Sequence, residues 1–289
     1  MKPFTFHTPS GLSEAVSLLE QHGPDARVIA GGQTLLLAMK ERLARPAALV
    51  SLAGLPGLRG WRYTDSGALE VGAATTYAAL AGATDLAGWH AEIAAVAGDL
   101  ADRPVRTMGT LGGALCAAEP RFDMLTLVVG LGAELVTVGP GGGRTIPASK
   151  FFDSAGGTVL RPDEILTTIR FPRRTAFSAV GFEKFRYRVF DAALVSACCA
   201  LRLGDDGAVA DARVVVGAVH PAPVLVPGVA DGPLTDAAVT EIGRRAAAEV
   251  LPEELATTPL RRYQRELVGV LVARAIARAH DRAKDQSGS

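Results

Sequence analysis

Two glycine pairs, each beside a hydroxyl, are the residues of this chain best suited to chemistry. The first is Ala30-Gly31-Gly32-Gln33-Thr34, which follows the apolar pair Val28-Ile29. The second is Met108-Gly109-Thr110-Leu111-Gly112-Gly113. Glycine lets the main chain come close to a bulky anion and tolerates positive φ. Several N–H groups can then converge on phosphate oxygens, and a threonine hydroxyl adds one more donor. Two such turns suit a pyrophosphate held from both sides. No Gly-Lys-Ser/Thr follows either turn, which excludes a Walker loop. Neither reads Gly-x-Gly-x-x-Gly, so a Rossmann dinucleotide fold is not indicated. The remaining reactive side chains form no constellation. His7, His22, His90, His220 and His280 lack metal-ligand spacing. Cys116, Cys198 and Cys199 form no spaced framework and read as reduced, mostly buried thiols. No metal site is expected, and no catalytic nucleophile or acid–base pair is assigned.

These turns must be positioned by the elements around them. Leu12, Ala15, Val16 and Leu19 have helical spacing, with Ser10 as the expected cap. Residues 27–30 read as a strand and 35–44 as a helix. The first Gly-Gly turn therefore sits where a strand ends and a helix begins, a place that favours an anion. Residues 48–52 read as a strand. Residues 62–64 and 69–71 read as a hairpin around Asp65-Ser66-Gly67. Short helices are expected over 77–83 and 92–97. The second Gly-Gly turn leads into 115–118, and 124–131 is helical. Strands follow at 134–138, 144–147 and 165–171. A boundary is expected at Pro172-Arg173-Arg174-Thr175. Beyond it, three long strands (179–186, 193–203 and 209–219) precede helices over 237–250 and 259–279. The second of these helices has proline in its first turn. The polar residues from 281 on are expected to fray.

Composition sets the outer bounds. With 289 residues the chain can bury a sizeable core and form two domains. Lys plus Arg and Asp plus Glu are 30 each, so no electrostatic case exists for nucleic acid or an anionic membrane. No apolar run reaches the roughly 18 residues of a membrane span. The first residues, Met1-Lys2-Pro3-Phe4-Thr5-Phe6, lack a signal-peptide core, so a cytoplasmic location is expected.

The two turns, in this order, together with Phe4-Thr5-Phe6-His7-Thr8-Pro9, Asp163-Glu164-Ile165-Leu166 and Glu183-Lys184-Phe185-Arg186, give the chain its resemblance to a known family. It resembles the FAD-binding medium subunit of molybdenum hydroxylases, the carbon monoxide dehydrogenase and xanthine dehydrogenase group. The likeness runs over nearly the whole chain, to a last helix near residues 263–278. It implies an α+β fold. An FAD-binding domain of the p-cresol methylhydroxylase type would occupy residues 1–174, in subdomains of about 1–57 and 58–174. A C-terminal domain of antiparallel sheet with helices would occupy 175–283, and 284–289 would be a frayed tail.

The resemblance also implies roles. Ala30, Gly31, Gly32, Gln33 and Thr34 would hold one side of a non-covalent FAD pyrophosphate, and Thr110, Gly112 and Gly113 the other. Asp123 would hydrogen-bond the cofactor; read without the resemblance, it is equally a helix cap. Leu166 would lie beside the isoalloxazine. Lys184 would stand near the flavin ring, where a cation favours its electron-rich reduced form. Electrons would reach this subunit from the iron–sulfur clusters of a small subunit, after a molybdopterin subunit hydroxylates the substrate. They would then pass to NAD, a quinone or oxygen. A dimer of such heterotrimers is one assembly implied. Two positions depart from the family pattern. Ala114 replaces an asparagine after the second Gly-Gly. Ala192, in Phe190-Asp191-Ala192, replaces a tyrosine beside the flavin. These departures leave two other readings open: a free-standing flavin oxidase or dehydrogenase, and a scaffold that has lost its cofactor.

Overall fold

Three sheets, built in order along the chain, carry the fold in the computed structural model, which describes residues 2–173, 175–229 and 234–287. The first unit contains β1 (Thr5–His7), α1 (Leu12–His22), β2 (Ala26–Ile29), α2 (Leu35–Lys40) and β3 (Ala48–Ser51). Its strands run parallel in the order β1-β3-β2. Parallel neighbours need a crossover connection, and α1 provides one. Its Ala15, Val16 and Leu19 pack with Ala48 and Val50 of β3. Ser10 does not cap this helix. Gly11 holds the cap position, and the Ser10 N–H and hydroxyl both donate to Glu14 Oε2, at 2.8 and 2.7 Å. Helix α2 is shorter than its periodicity predicts. Arg42 adopts φ 67°, and the Leu43 and Ala44 N–H groups turn back to the Ala38 carbonyl.

The second unit starts with the expected hairpin, β4 (Trp61–Tyr63) and β5 (Leu69–Gly72), whose turn has Gly67 at φ 80°. Five short helices follow: α3 (Tyr77–Ala81), α4 (Ala91–Gly98), α5 (Arg103–Met108), α6 (Leu111–Ala117) and α7 (Asp123–Gly130). Then β6 (Glu134–Gly139), β7 (Gly142–Pro147) and β8 (Ile165–Phe171) complete an antiparallel sheet ordered β4-β5-β8-β6-β7. Helix α7 is mostly apolar, and its residues are all buried. A helix of that composition needs cover all round, and the third sheet supplies part of it.

That sheet contains β9 (Ser178–Phe185), β10 (Val195–Leu203), β11 (Val209–Gly217) and β12 (Val224–Val226), antiparallel in the order β12-β11-β10-β9. Helices α8 (Asp236–Val250) and α9 (Pro259–Ser287) lie on one face. Because strand side chains alternate, the sheet serves two cores. Val180, Phe182, Cys198 and Val215 join the core around α7, whereas Ala179, Cys199, Val214 and Val216 pack with Leu271, Val272 and Ile276 of α9. The adjacent Cys198 and Cys199 thus face opposite ways, each fully buried. At the seam, Thr126 of α7 and Ser196 of β10 share a buried hydrogen bond of 2.9 Å. The helix approaches so closely that a Cβ at Gly217 would run into Thr126 Oγ1.

The expected boundary falls just after β8, although Arg174 lies outside the described residues. The C-terminal helix outruns its predicted end. Residues 281–287, expected to fray, are helical, and Gln286 Nε2 donates to the Ser178 carbonyl at 3.2 Å. Residues 288–289 lie outside the described residues. Among those described, no helix is long and apolar enough to cross a membrane.

Candidate functional site

The two glycine segments meet. A Cβ placed on Gly31 would fall onto the Met108 carbonyl and stand 3.1 Å from Gly109 Cα. The first turn therefore touches the second segment main chain to main chain, which any side chain at Gly31 would prevent. Around this contact opens a cavity of about 640 Å³, within the range of small-molecule sites. Ala30, Gly31, Gly32, Gln33 and Thr34 line it from one side, and Thr110, Gly112 and Gly113 from another. Leu166, at the start of β8, and Asp123, at the start of α7, line it too.

The two segments offer different things. In the first, Gly32 takes φ 70°, a conformation costly for residues with a Cβ. Among the described residues, no protein acceptor takes the N–H groups of residues 31–34. They remain free for a ligand. The second segment differs from the expected turn, because Gly112 and Gly113 lie inside the first turn of α6. Their N–H groups are already committed. Leu111 donates to the Thr75 carbonyl at 3.0 Å, Gly112 to Ala73 at 2.8 Å, and Gly113 to Thr110 Oγ1 at 3.1 Å. Glycine is needed here for close packing: a Cβ on Gly112 would meet that of Ala73 at 2.5 Å. Thr110 caps the helix as an acceptor and keeps its own hydroxyl proton to give. The expectation of two equivalent N–H nests is thus corrected to one nest facing a bare, close-packed wall. Thr75 and Thr76 do not line the cavity. Thr75 donates to the Gly60 carbonyl, and Thr76 caps α3.

Asp123 is not a helix cap. Phe122 holds that position, and the Asp123 side chain makes no capping bond. The carboxyl is almost fully buried, and its Oδ2 accepts from Lys184 Nζ at 2.5 Å. Its Oδ1 is buried without any partner among the described residues. Burial pushes this carboxyl above the usual range, opposed by the pull of the Lys184 ammonium. An orphaned buried acceptor is costly, and this one belongs to a residue that lines the cavity. Lys184 itself, on β9, does not line the cavity. Its second partner, Asp99, which also accepts from Arg186, carries no motif that sequence reading could find.

Sequence reading quoted Glu164 within a motif but gave it no role. It lines the cavity just before β8, in a clamp drawn from three segments. Oε1 accepts from Thr137 Oγ1 at 2.5 Å and Arg144 Nε at 2.7 Å. Oε2 accepts from Arg144 Nη2 at 2.7 Å and the Arg161 N–H at 3.1 Å. The Arg144 fork, the Thr137 hydroxyl and that N–H hold the Glu164 carboxyl down at about 2, from 4.5. A depressed carboxyl stabilises the fold fully above its unfolded value, and the effect is lost as pH falls toward the folded one. Glu164→Gln should therefore lower unfolding free energy by about 2 kcal/mol near neutral pH, allowing for solvent screening at half-exposed Arg144. Urea titrations across pH should show this gap closing between about 4.5 and about 2. A gap that stays constant through that window would contradict the clamp.

The residues present fit a dinucleotide cofactor: free N–H groups, glycines that no Cβ could replace, and one buried carboxylate oxygen awaiting a donor. Of the two departures, Ala114 lines the cavity, whereas Ala192 is exposed and outside its lining. Among the described residues, no group of three or more His, Cys, Asp or Glu could hold a metal.

Comparison with known proteins agrees with this geometry. Residues 2–174 match the family described as the FAD binding domain in molybdopterin dehydrogenase. Residues 181–279 match the CO dehydrogenase flavoprotein C-terminal domain. The chain is 34% identical to the carbon monoxide dehydrogenase medium chain of Afipia carboxidovorans, over 98% of each chain. It is 29% identical to the xanthine dehydrogenase FAD-binding subunit of Escherichia coli O157:H7, over 76% of this chain and 75% of that one. A solved chain of the Hydrogenophaga pseudoflava carbon monoxide dehydrogenase, in a form lacking the Mo-pyranopterin moiety, superposes with a TM-score of 0.90. It has 31% identity over 97% of this chain and 98% of that one.

Proposed function

Because the chain belongs to the FAD-binding subunits of molybdopterin-dependent dehydrogenases, we propose that it is the electron-transfer subunit of such an enzyme. It would take electrons from the iron–sulfur clusters of a small subunit and deliver them to NAD, a quinone or oxygen. The molybdopterin would lie in a large subunit, and the assembly would be cytoplasmic. FAD, when bound, supplies the redox chemistry of its isoalloxazine.

This chain's own residues would bind and orient. The free N–H groups of residues 31–34 would hold one side of the pyrophosphate. Thr110 would add its hydroxyl, and the glycines at 112 and 113 would leave room for close approach. Leu166 would give the ring system an apolar wall. Asp123 would accept a hydrogen bond at Oδ1, with Lys184 as its counter-ion. Residues 1–174 would form the cofactor domain, and 175–283 the domain that brings Lys184 to it. The observation that carries this reading is one cavity lined both by the joined glycine segments and by Asp123, whose Oδ1 has no partner among the described residues.

Purified full chain should carry, or take up, about one FAD per chain, released on denaturation because no His or Cys lies in either segment. A colourless protein that refuses added FAD would sink the reading, and a preference for FMN would count against the pyrophosphate nest. Native purification followed by molybdenum and iron analysis addresses the assembly. Recovery of a metal-free single chain that oxidises a small organic substrate unaided would favour a free-standing oxidase.

A further inference from the structure

Lys184 has three N–H donors; two have acceptors, and the ammonium also pairs with the Asp99 carboxylate. Nζ lies 2.5 Å from Asp123 Oδ2, 3.0 Å from the Asp99 carbonyl and 3.1 Å from Asp99 Oδ2. The Lys184 side chain is 10% exposed and forms no part of the cavity wall. Asp99 is itself pinned. Arg186 donates to its carbonyl at 2.8 Å and to Oδ1 at 2.7 Å. The next two carbonyls, of Leu100 and Ala101, accept from Arg106 Nη1 at 2.7 and 2.8 Å. An ammonium so held would have to break this clasp to reach a ligand. Asp123 meanwhile lines the cavity, and its buried Oδ1 has no partner among the described residues.

Resting on the FAD reading above, we propose that Lys184 is a positioning residue. It serves the cofactor through Asp123, keeping that carboxylate ionised with Oδ1 free to accept from the ligand, and does not touch the ligand itself. The groups facing Asp123 are Lys184 of β9, Arg186 just beyond it, Asp99 at the end of α4, and the buried Tyr77 phenol of α3. Of these, only Lys184 bonds Asp123 directly. Without it, burial would favour the protonated carboxyl, which no longer acts purely as an acceptor. High pH would restore the ionised form without help.

The test is FAD affinity of the full chain, read from quenching of free FAD fluorescence, between about pH 6 and about pH 9. Wild type should vary little. Lys184→Met and Lys184→Gln should bind about tenfold more weakly near pH 6 and recover to within about threefold of wild type near pH 9. A direct contact would instead cost affinity equally at all pH values. Such a flat loss in both variants, loss persisting near pH 9, or no loss at all would overturn the inference alone. Wild-type protein that takes up no FAD would overturn the binding reading, and this inference with it.

Discussion

Gly31→Val should weaken FAD binding by about a hundredfold or more, about 3 kcal/mol. The cause is the join between the two cavity walls. The first atom of any side chain at Gly31 would fall on the Met108 carbonyl. That carbonyl cannot swing aside freely, because Met108 ends α5 and Gly109 is bound on both sides. Gly109 N–H donates to the Val105 carbonyl at 2.6 Å, and its own carbonyl accepts from Tyr77 N–H at 3.0 Å. The valine must therefore push the first turn away from the second segment and move the free N–H groups off the cavity. Overpacking against main chain costs at least as much as in a core, about 1–3 kcal/mol, so folding should weaken as well. Gly54→Val is the matched control. A Cβ there meets nothing within 4 Å, and binding should be unchanged. Isothermal titration with FAD separates the two. Wild-type affinity in Gly31→Val would show that the cavity does not depend on the contact.

The contrast between the two glycine segments marks how far sequence could be read. Both looked like nests, because glycine beside threonine is all a sequence shows. Only the fold reveals that residues 31–34 keep their N–H groups free, while α6 begins early enough to use those of Leu111, Gly112 and Gly113. Strand alternation and the turn at Gly67 made β4, β5 and β8–β11 legible, since period and turn chemistry are local. Helix α5 was not: Asp102 caps it and Pro104 sits in its first turn, both start signals, but no apolar stripe follows to announce it. Asp123 and Lys184 were singled out by resemblance, and the fold brings them together across 61 positions. The pairing of Asp99 with Arg186 and of Glu164 with Arg144 was missed, since ion pairs between distant segments leave no spacing to detect.

Asp123→Leu should cost about 3–5 kcal/mol of stability, because removing one partner of a buried ion pair strands the other. Lys184 would keep the Asp99 carbonyl as acceptor and the Asp99 carboxylate as ion-pair partner, but it would face an apolar side chain where its shortest contact had been. Asp99 would not be stranded in turn, since Arg186 already binds both its carbonyl and its carboxylate. The double replacement Asp123→Leu, Lys184→Met should therefore regain most of the loss. Two apolar side chains of similar volume can substitute for a buried pair at little cost. FAD binding should respond differently. Both variants lack the Asp123 oxygen that no protein group satisfies, so both should bind FAD weakly whatever their stability. Urea unfolding and FAD titration on the same samples read the two quantities apart. A double variant that recovers stability and FAD affinity together would show that Asp123 serves the fold alone. One that recovers neither would show that the neighbouring Asp99 and Arg186 depend on the pair.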